Sequence, residues 1–312
     1  MVIVTPALAA ANNGNWQTAQ RWARCLRGHY RVTLTQDWQA GDEDLMLALH
    51  ARRSAASVLA WRAARGAAPL VLALTGTDLY RDIDDDASAR RSLQLADRLI
   101  VLNELGPLRL PQALRSKTVV CLQSCASLQP RVKTDRHLRA LMVGHLREEK
   151  SPQTYFQAAR LLAARPDIRL DHIGDGLDPT LAALASQLMQ QQPRYRWLGA
   201  LPHAQTRQRI AAAHVLVHAS RMEGGAHVVM EAVTSGTPVL ASRVDGNVGL
   251  LGAAYPGYFD WGDAQGLAAW LLRLRDDTAM LDGLRELTRQ RAPLFAAQRE
   301  QLTLLRLLQG LL

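Results

Sequence analysis

The sequence has 312 residues, 48% of them hydrophobic and only 5% aromatic, which is enough apolar material for the cores of two ordinary domains. Its formal net charge of +9 predicts an attraction to anions. No basic run with interleaved aromatic residues and no zinc-finger spacing occurs, so we expect no nucleic-acid partner. Three cysteines without paired spacing, no basic leader and no apolar run of about 18 residues argue against secretion and integral membrane association, and predict a cytoplasmic protein.

Short aliphatic runs alternate with helical stretches in the N-terminal part of the chain. The alternation comprises, in order, residues 1–4, 16–26, 30–34, 45–50, 58–65, 70–74, 98–102 and 117–122. Apolar runs bounded by polar turns and separated by helical periodicity are typical of a parallel, doubly wound sheet. We therefore predict a Rossmann-like domain over residues 1–133.

A polar segment with a proline, residues 129–137, is typical of a linker between domains. A second alternation follows it, with strands at 138–143, 168–173, 215–218 and 238–241 and helices at 152–164 and 181–190. Leucines at helical spacing after Asp263, interrupted by Pro293, predict two terminal helices. The fold class is therefore α/β, with a second Rossmann-like domain over residues 134–312.

Residues 215–242 contain the strongest local signal for chemistry. A strand ends near Ser220, a loop with Gly224 and Gly225 follows, and a short helix leads to a Gly-Thr-Pro-Val turn. Glycines that enter a helix allow the backbone to approach an anion, and the first amides of the helix favour a phosphate. Glu231 in that helix is suited to hydrogen-bond a ribose diol, and Glu223 precedes the glycines.

This stretch resembles the GT-B glycosyltransferases, in particular the large group with two glutamates separated by seven residues, here Glu223 and Glu231, before a Gly-x-Pro-Val turn. Three further motifs occur in the expected order, at residues 143–150, 173–176 and 197–200. The resemblance implies a GT-B fold, in which two Rossmann-like doubly wound parallel-sheet domains face a cleft. The first domain would bind the acceptor and the second a nucleotide sugar.

The resemblance also implies roles for individual residues at the donor. Lys150 would neutralise the diphosphate, Glu231 would hold the ribose and Glu223 would contact the sugar. His145 stands where family members usually carry an arginine, which leaves open whether Arg147 supplies that charge. The predicted catalytic residues are thus Glu223, Lys150, Arg147 and His227, and the predicted donor contacts are Gly144, Gly224, Gly225, Ala226, Glu231 and Leu198. Fixed cations and amides can stabilise the leaving diphosphate, so we expect no metal requirement and no tightly bound cofactor.

The predicted acceptor residues follow strands of the first domain. Residues 12–15, Asn12, Asn13, Gly14 and Asn15, form an amide-rich loop before a helix. Thr75 and Asp78 follow another strand, and the arginines Arg52, Arg53 and Arg81 complete the set. The carboxyl ends of parallel strands are where such sheets bind ligands. The arginines indicate a small anionic acceptor, although each arginine alone is more often a surface residue.

Four segments make the whole chain similar to the selenosugar synthases of selenoneine biosynthesis, namely residues 12–16, 74–81, 245–248 and 255–259. This resemblance implies transfer of a hexose from UDP-N-acetylglucosamine or UDP-glucose to the selenium of selenophosphate. Two alternatives stay open from the residues. One is a glycosyltransferase that acts on a lipid or polysaccharide at a membrane surface, and the other is a non-catalytic nucleotide-sugar-binding protein.

Overall fold

The computed structural model describes residues 1–8 and 14–311 of the chain. The chain forms two compact units. The first unit comprises Met1–Ser124, Glu223–Gly225 and Ala296–Leu312, and the second comprises Cys125–Met222 and Ala226–Phe295. The predicted boundary after residue 133 stays a prediction about the functional domains. In these compact units the chain first passes to the second unit at residue 125.

The first unit contains a six-stranded sheet in the order β2-β1-β3-β4-β5-β6, and all paired strands are parallel. The strands are β1 Val2–Val4, β2 Thr33–Thr35, β3 Met46–Leu49, β4 Leu70–Leu74, β5 Arg98–Val101 and β6 Thr118–Val120. Leu70, Leu72 and Leu74 of β4 pack in one core, and Val71 and Ala73 in another. Alternate side chains point to opposite faces, so the uninterrupted apolar run shows that both faces are covered.

Helices cover the first sheet on its two faces. They are α1 Gly14–Leu26, α2 Ala55–Arg65, α3 Ile83–Asp85, α4 Ala87–Leu95 and α5 Gln112–Arg115. A π-helical turn, Asp78–Asp82, precedes α3. Trp61 of α2 packs in the core with Leu72, whereas Trp22 of α1 packs in the core with Val71. These two indoles are the largest fully buried side chains among the described residues.

The C-terminal helix, which we label α13 (Ala297–Gln309), also belongs to the first unit. Leu304 and Leu308 of this helix pack in the core that contains Trp22. The buried carboxylate of Glu300 accepts hydrogen bonds from the Trp22 indole (2.7 Å) and from the backbone amide of Ser124 (2.8 Å). These long-range contacts explain why α13 groups with the first unit, whereas the sequence predicts a second domain that runs to residue 312.

The second unit contains a six-stranded parallel sheet in the order β12-β11-β10-β7-β8-β9. The strands are β7 Leu138–Val143, β8 Ile168–Ile173, β9 Tyr195–Trp197, β10 Val215–His218, β11 Val239–Ser242 and β12 Tyr258–Phe259. The sequence did not predict the edge strands β9 and β12, which are short and lie beside glycine and proline residues. The strand order reverses between β7 and β10, and such a switch point is where doubly wound sheets bind ligands.

The helices of the second unit are α6 Pro152–Leu161, α7 Pro179–Gln191, α8 His203–Ala212, α9 His227–Val233, α10 Asp245–Leu251, α11 Ala264–Asp276 and α12 Thr278–Arg291. Three helices therefore follow Asp263, where the sequence predicted two. The break between α11 and α12 lies at Asp277, whose side chain accepts a hydrogen bond from the amide of Met280 and so caps α12. Asp277 was therefore the sequence signal for a new helix start, but the continuous helical spacing of the leucines masked it.

Candidate functional site

The loops that follow β7 and β10 lie next to each other, because these two strands are neighbours at the switch point of the second sheet. The amide of Arg221, after β10, donates to the carbonyl of Glu149, after β7, at 2.9 Å. The Arg221 guanidinium lies over the Trp261 ring, 5.1 Å from its centroid. The structure thus brings together two segments that are separated by about 70 residues in the sequence.

Lys150 closes a short 3₁₀ turn, Glu148–Lys150, in the loop after β7. A Cβ atom at Gly144 would lie 3.4 Å from Cγ and Cδ of Lys150, so the aliphatic stem of the lysine covers the glycine. The next residue, Ser151, has a φ of 47° and its hydroxyl accepts a hydrogen bond from the Trp261 indole at 2.8 Å. The glycine and the bound serine together fix the course of the loop around Lys150.

His172 of β8 and Gly174, which directly follows β8, both contact the Gly144 carbonyl at the start of this loop. His172 is fully buried and contacts the carbonyl of Gly144 (3.1 Å) and the hydroxyl of Tyr195 (3.2 Å) through its two ring nitrogens. Burial lowers the pKa of His172 to about 4, so the ring is neutral at physiological pH. Gly174 approaches the Gly144 carbonyl so closely that a Cβ at 174 would lie 1.9 Å from its oxygen. Only glycine fits there.

Glu231 lies in α9 and is almost completely buried. Its Oε1 atom lies 2.5 Å from Nε2 of His203, the first residue of α8. The hydrogen bond to Glu231 raises the pKa of His203 and thereby favours the protonated, charged ring. His203 was not among the predicted site residues, because a histidine 28 positions before Glu231 gives no local sequence signal.

Glu223, Gly224 and Gly225 belong to the first unit, although they follow β10 in the chain. The Gly224 carbonyl accepts a hydrogen bond from the Asn103 side chain at 2.8 Å, and a Cβ at 224 would lie 2.4 Å from the Thr75 carbonyl oxygen. A Cβ at 225 would lie 3.0 Å from Leu102 Cβ. Close packing within the protein therefore requires glycine at 224 and leaves little room for a side chain at 225, in addition to the phosphate approach that the sequence predicts.

The other predicted donor residues occupy varied positions in the second unit. Arg147 is exposed, with its Nε 4.0 Å from Glu149 Oε2. The amide of Asp175 donates to Nδ1 of His145, whose pKa is lowered, chiefly by partial burial. Leu198 donates its amide to the His172 carbonyl. Ala226 is buried directly before α9, and His227 is the first residue of that helix.

Asp78 is fully buried, and its carboxylate binds backbone amides of the first unit. It accepts hydrogen bonds from the amides of Thr75 (2.9 Å), Gly76 (2.8 Å) and Ala51 (3.0 Å). Thr75 itself is half-buried at the end of β4. Asp78 therefore connects the loops after β3 and β4, so the structure gives it a role in holding these loops.

Arg52 and Arg81 converge on a carboxylate that the sequence did not single out. Their Nε atoms donate to the two oxygens of Asp82 at 2.9 and 3.1 Å. Burial opposes ionisation of Asp82, but these two hydrogen bonds outweigh it and lower its pKa. His50, buried with a φ of 74°, lies 3.8 Å from the same carboxylate, and burial lowers its pKa. Two guanidinium groups share one carboxylate, which leaves the Arg52–Arg81 pair with excess positive charge.

The predicted amide-rich loop is only partly described. Asn12 and Asn13 lie outside the described residues, whereas Gly14 and Asn15 are the first residues of α1. The Gly14 carbonyl accepts a hydrogen bond from the Thr18 hydroxyl at 2.8 Å. Arg53 is exposed, and its amide lies 3.4 Å from Nδ1 of His50. Gly14 and Asn15 thus start the helix that the sequence predicts after the loop.

The second unit also contains a group of potential metal ligands, namely Cys125, His227 and Glu231. Their ligand atoms all lie within 4.8 Å of one another. The sequence predicted no metal ligand, because residue 125 precedes the other two by about 100 positions and no short metal motif connects them. The group includes both a predicted catalytic residue and the predicted ribose-binding glutamate.

Comparison with protein families gives a match to "Glycosyl transferases group 1" over residues 128–291, more than half of the chain. A comparison with curated proteins gives no match. In the described part of the chain, no helix combines the length and the apolar character that crossing a bilayer would require.

Solved structures of similar architecture include two proteins that match along the full length. A sucrose-phosphate synthase from Thermosynechococcus elongatus is 17% identical with a TM-score of 0.77, covering 99% of this chain and 98% of its own. HepE from Anabaena, solved with UDP and glucose, is 18% identical with a TM-score of 0.77 and coverages of 99% and 100%. TarM from S. aureus is 13% identical with a TM-score of 0.69; 84% of this chain aligns, and it spans only 55% of TarM. These similarities and the two parallel sheets confirm the predicted GT-B fold.

Proposed function

The chain belongs to the group 1 glycosyl transferases, and we propose that it transfers a hexose from a UDP-sugar to the selenium of selenophosphate. The sugar would be N-acetylglucosamine or glucose, and the product a selenosugar for selenoneine biosynthesis. The observation that supports the proposed donor site is the hydrogen bond from the Arg221 amide to the Glu149 carbonyl. It joins the Lys150 loop to the segment before Glu231 at the switch point of the second sheet. The acceptor half rests on the sequence resemblance and the arginines of the first unit.

In the donor half, Lys150 neutralises the diphosphate, and backbone amides from Gly224 to His227 bind the distal phosphate. Arg147 supplies further positive charge, Gly144 and Leu198 line the site, and Glu231 binds the ribose hydroxyls. Support for a UDP-sugar comes from the known structures, since HepE was solved with UDP-glucose and the pneumococcal O-GlcNAc transferase GtfA with UDP and GlcNAc. His172, which contacts the loop at the Gly144 carbonyl, is neutral and adds no charge to the proposed site.

The reaction forms one bond and breaks one bond at the anomeric carbon. A lone pair on selenium attacks that carbon, and the bond to the diphosphate oxygen breaks with its electron pair leaving on UDP. Water then cleaves the phosphorus–selenium bond, which gives free phosphate and the selenosugar. Selenophosphate is ionised and soft, so it needs positioning and charge compensation more than proton abstraction. Stabilisation of the departing diphosphate is the main electrostatic task.

In the acceptor half, the phosphoryl oxygens of selenophosphate bind Arg52, Arg53 and Arg81, together with the amides of residues 12–15. The sharing of Asp82 by Arg52 and Arg81 supports this, because the shared carboxylate orients both guanidinium groups and leaves them with net positive charge. Thr75 directly follows β4 and lies three positions before the π-helical turn Asp78–Asp82, which contains Arg81. Independence from metal ions and a cytoplasmic location stay predictions.

The decisive experiment is mass spectrometry of the products formed from UDP-N-acetylglucosamine and selenophosphate, with thiophosphate and phosphate as matched acceptors. We expect fast UDP release and a sugar–selenium product with selenophosphate, slower UDP release with thiophosphate, and no UDP release with phosphate. If the protein binds UDP-N-acetylglucosamine but releases no UDP with selenophosphate, thiophosphate or phosphate, the proposed reaction is refuted. If alanine at position 52, 53 or 81 leaves the KM for selenophosphate unchanged in all three variants, the proposed acceptor site is wrong.

A further inference from the structure

We propose that Cys125, His227 and Glu231 bind a zinc ion, and that the bound ion competes with the UDP-sugar donor for Glu231. The metal site is argued from the second unit alone. The competition rests on the proposed function, because it requires that Glu231 binds the ribose.

The three side chains converge for reasons that the fold makes clear. His227 and Glu231 are four residues apart in α9 and therefore lie on one face of the helix, one turn apart. Cys125 reaches them from the start of the second unit, where its amide donates to the Phe295 carbonyl at 3.0 Å. The sulfur, ring nitrogen and carboxylate oxygen all lie within 4.8 Å of one another.

The chemistry of the three atoms selects the kind of ion. Thiolate, imidazole and carboxylate together are ligands that zinc accepts, whereas magnesium and calcium bind oxygen ligands almost exclusively. Ligand atoms around tetrahedral zinc lie roughly 3–4 Å apart, given bond lengths of about 2.0–2.3 Å. Small side-chain rotations therefore suffice to close the set, and three protein ligands leave the fourth position for water.

A second contact prepares Glu231 for this role. His203 holds Oε1 of the carboxylate at 2.5 Å, and the side chain of Glu231 is otherwise buried. Outer partners that orient a ligating carboxylate are a regular feature of zinc sites. A carboxylate that coordinates zinc cannot accept the ribose hydroxyls in the same geometry, so we expect micromolar zinc to weaken donor binding and to inhibit sugar transfer.

Cobalt substitution tests the metal site without reference to activity. The apo-protein is titrated with Co²⁺, and a thiolate-to-cobalt charge-transfer band is recorded for the wild type, for Cys125→Ala and for Cys25→Ala. Cys25 is a matched control because it too is a half-buried cysteine outside any disulfide, but it lies in α1. We expect the band in the wild type and in Cys25→Ala, and its loss in Cys125→Ala, with zinc affinity lowered at least about ten-fold. A band that survives in Cys125→Ala would overturn the site.

Thiol alkylation gives a readout that does not depend on any variant folding. The wild type is treated with iodoacetamide with and without zinc, and modification is quantified by peptide mass spectrometry. We expect zinc to protect Cys125 and to leave modification of Cys25 unchanged. Because the thiol and the imidazole must lose protons to bind the ion, protection should weaken as the pH falls. Equal modification of Cys125 with and without zinc overturns the proposal.

The competition is measured by titrating the zinc-free and zinc-loaded protein with UDP. We expect the apparent Kd for UDP to rise at least ten-fold with zinc, and this effect to disappear in Cys125→Ala. Unchanged or tighter UDP binding with zinc refutes the competition. A protein that gives the cobalt band but never binds UDP refutes the proposed donor site and the competition, while the metal site stands. A protein that binds UDP but gives no band refutes the metal site alone.

Discussion

The two units anchor their candidate loops in different ways. In the first unit, the loop after β4 is held by Asp78, a buried carboxylate that accepts three backbone amides. In the second unit, the loop after β7 is held by His172, a buried ring that burial keeps neutral. The same architecture thus uses a charged anchor on one sheet and an uncharged anchor on the other.

This difference teaches where positive charge is available for a ligand. Near the Asp78 loop, the arginines Arg52 and Arg81 are already oriented by a carboxylate, Asp82, and part of their charge is compensated. Near the His172 loop, the anchor adds no charge, and the loop itself carries Glu148 and Glu149 beside Arg147 and Lys150. We therefore expect charge compensation at the proposed donor site to depend on Lys150, and at the proposed acceptor site on arginines that Asp82 already orients.

The largest expected effect comes from removing the cation of the His172 loop. In Lys150→Ala, kcat for UDP-N-acetylglucosamine should fall by ~10²–10³-fold, the loss typical of removing one group that stabilises a departing oxyanion. Lys133→Ala is the matched control, because Lys133 lies in the same unit but outside the proposed donor site. Steady-state UDP release measures both variants. A fall of less than about three-fold in Lys150→Ala would contradict the proposed role of Lys150 at the diphosphate.

A smaller effect, on stability, is expected from weakening the charged anchor of the first unit. Asp78→Asn should lower the free energy of unfolding by about 2–3 kcal/mol, because a buried ionised acceptor of backbone amides is replaced by a neutral group that also carries two donors. Urea denaturation measures the change, and UDP titration of the same sample should give an unaltered Kd. If Asp78→Asn is as stable as the wild type, the carboxylate does not anchor the loop.

Gly224, which packs against the Thr75 carbonyl, gives a somewhat smaller expected effect on stability. Gly224→Ala should cost about 1–3 kcal/mol of stability, since its Cβ would lie 2.4 Å from a backbone oxygen and the chain must shift. Gly283→Ala in α12 is the control, because no atom lies within 4 Å of its added Cβ, and it should be stabilising by about 0.5–1 kcal/mol. Thermal denaturation should give a lower melting temperature than the wild type for Gly224→Ala and a higher one for Gly283→Ala. Similar melting temperatures for the two would show that position 224 tolerates a side chain.

The smallest expected effect is a titration difference between two histidines of the second unit. The hydrogen bond to Glu231 raises the pKa of His203 above 6.5, whereas partial burial lowers that of His145. The stabilisation from charged His203 is fully present below pH 6.5 and is lost as the pH rises through its raised pKa. NMR titration of the ring protons should show a raised pKa for His203 and a lowered pKa for His145. In Glu231→Gln, the pKa of His203 should no longer be raised, and that of His145 should be unchanged. A His203 that titrates identically in both proteins is not paired with Glu231 in solution.

The residues proposed for the donor site could be selected from the sequence because their signals are local. Gly144 and Lys150 lie six positions apart, and Glu223 and Glu231 eight apart, so each pair stays within one strand–loop–helix segment. Three residues that the structure places beside predicted ones could not be selected in this way. His203, Asp82 and Cys125 act through partners that are 28, 30 and about 100 positions away or on a different element, and no spacing rule connects them.

The sequence by itself determined the class of fold, since aliphatic strands alternating with amphipathic helices can bury both faces of a sheet only in a parallel, helix-covered arrangement. It also contains the local motifs from which we predict the glutamates, glycines and lysine of the donor site. The tertiary structure alone decided that α13 joins the first unit through Glu300 and that Gly224 packs against Thr75. Local propensity specifies elements within a few turns, whereas contacts between distant segments depend on where the whole chain buries its apolar surface and its charges.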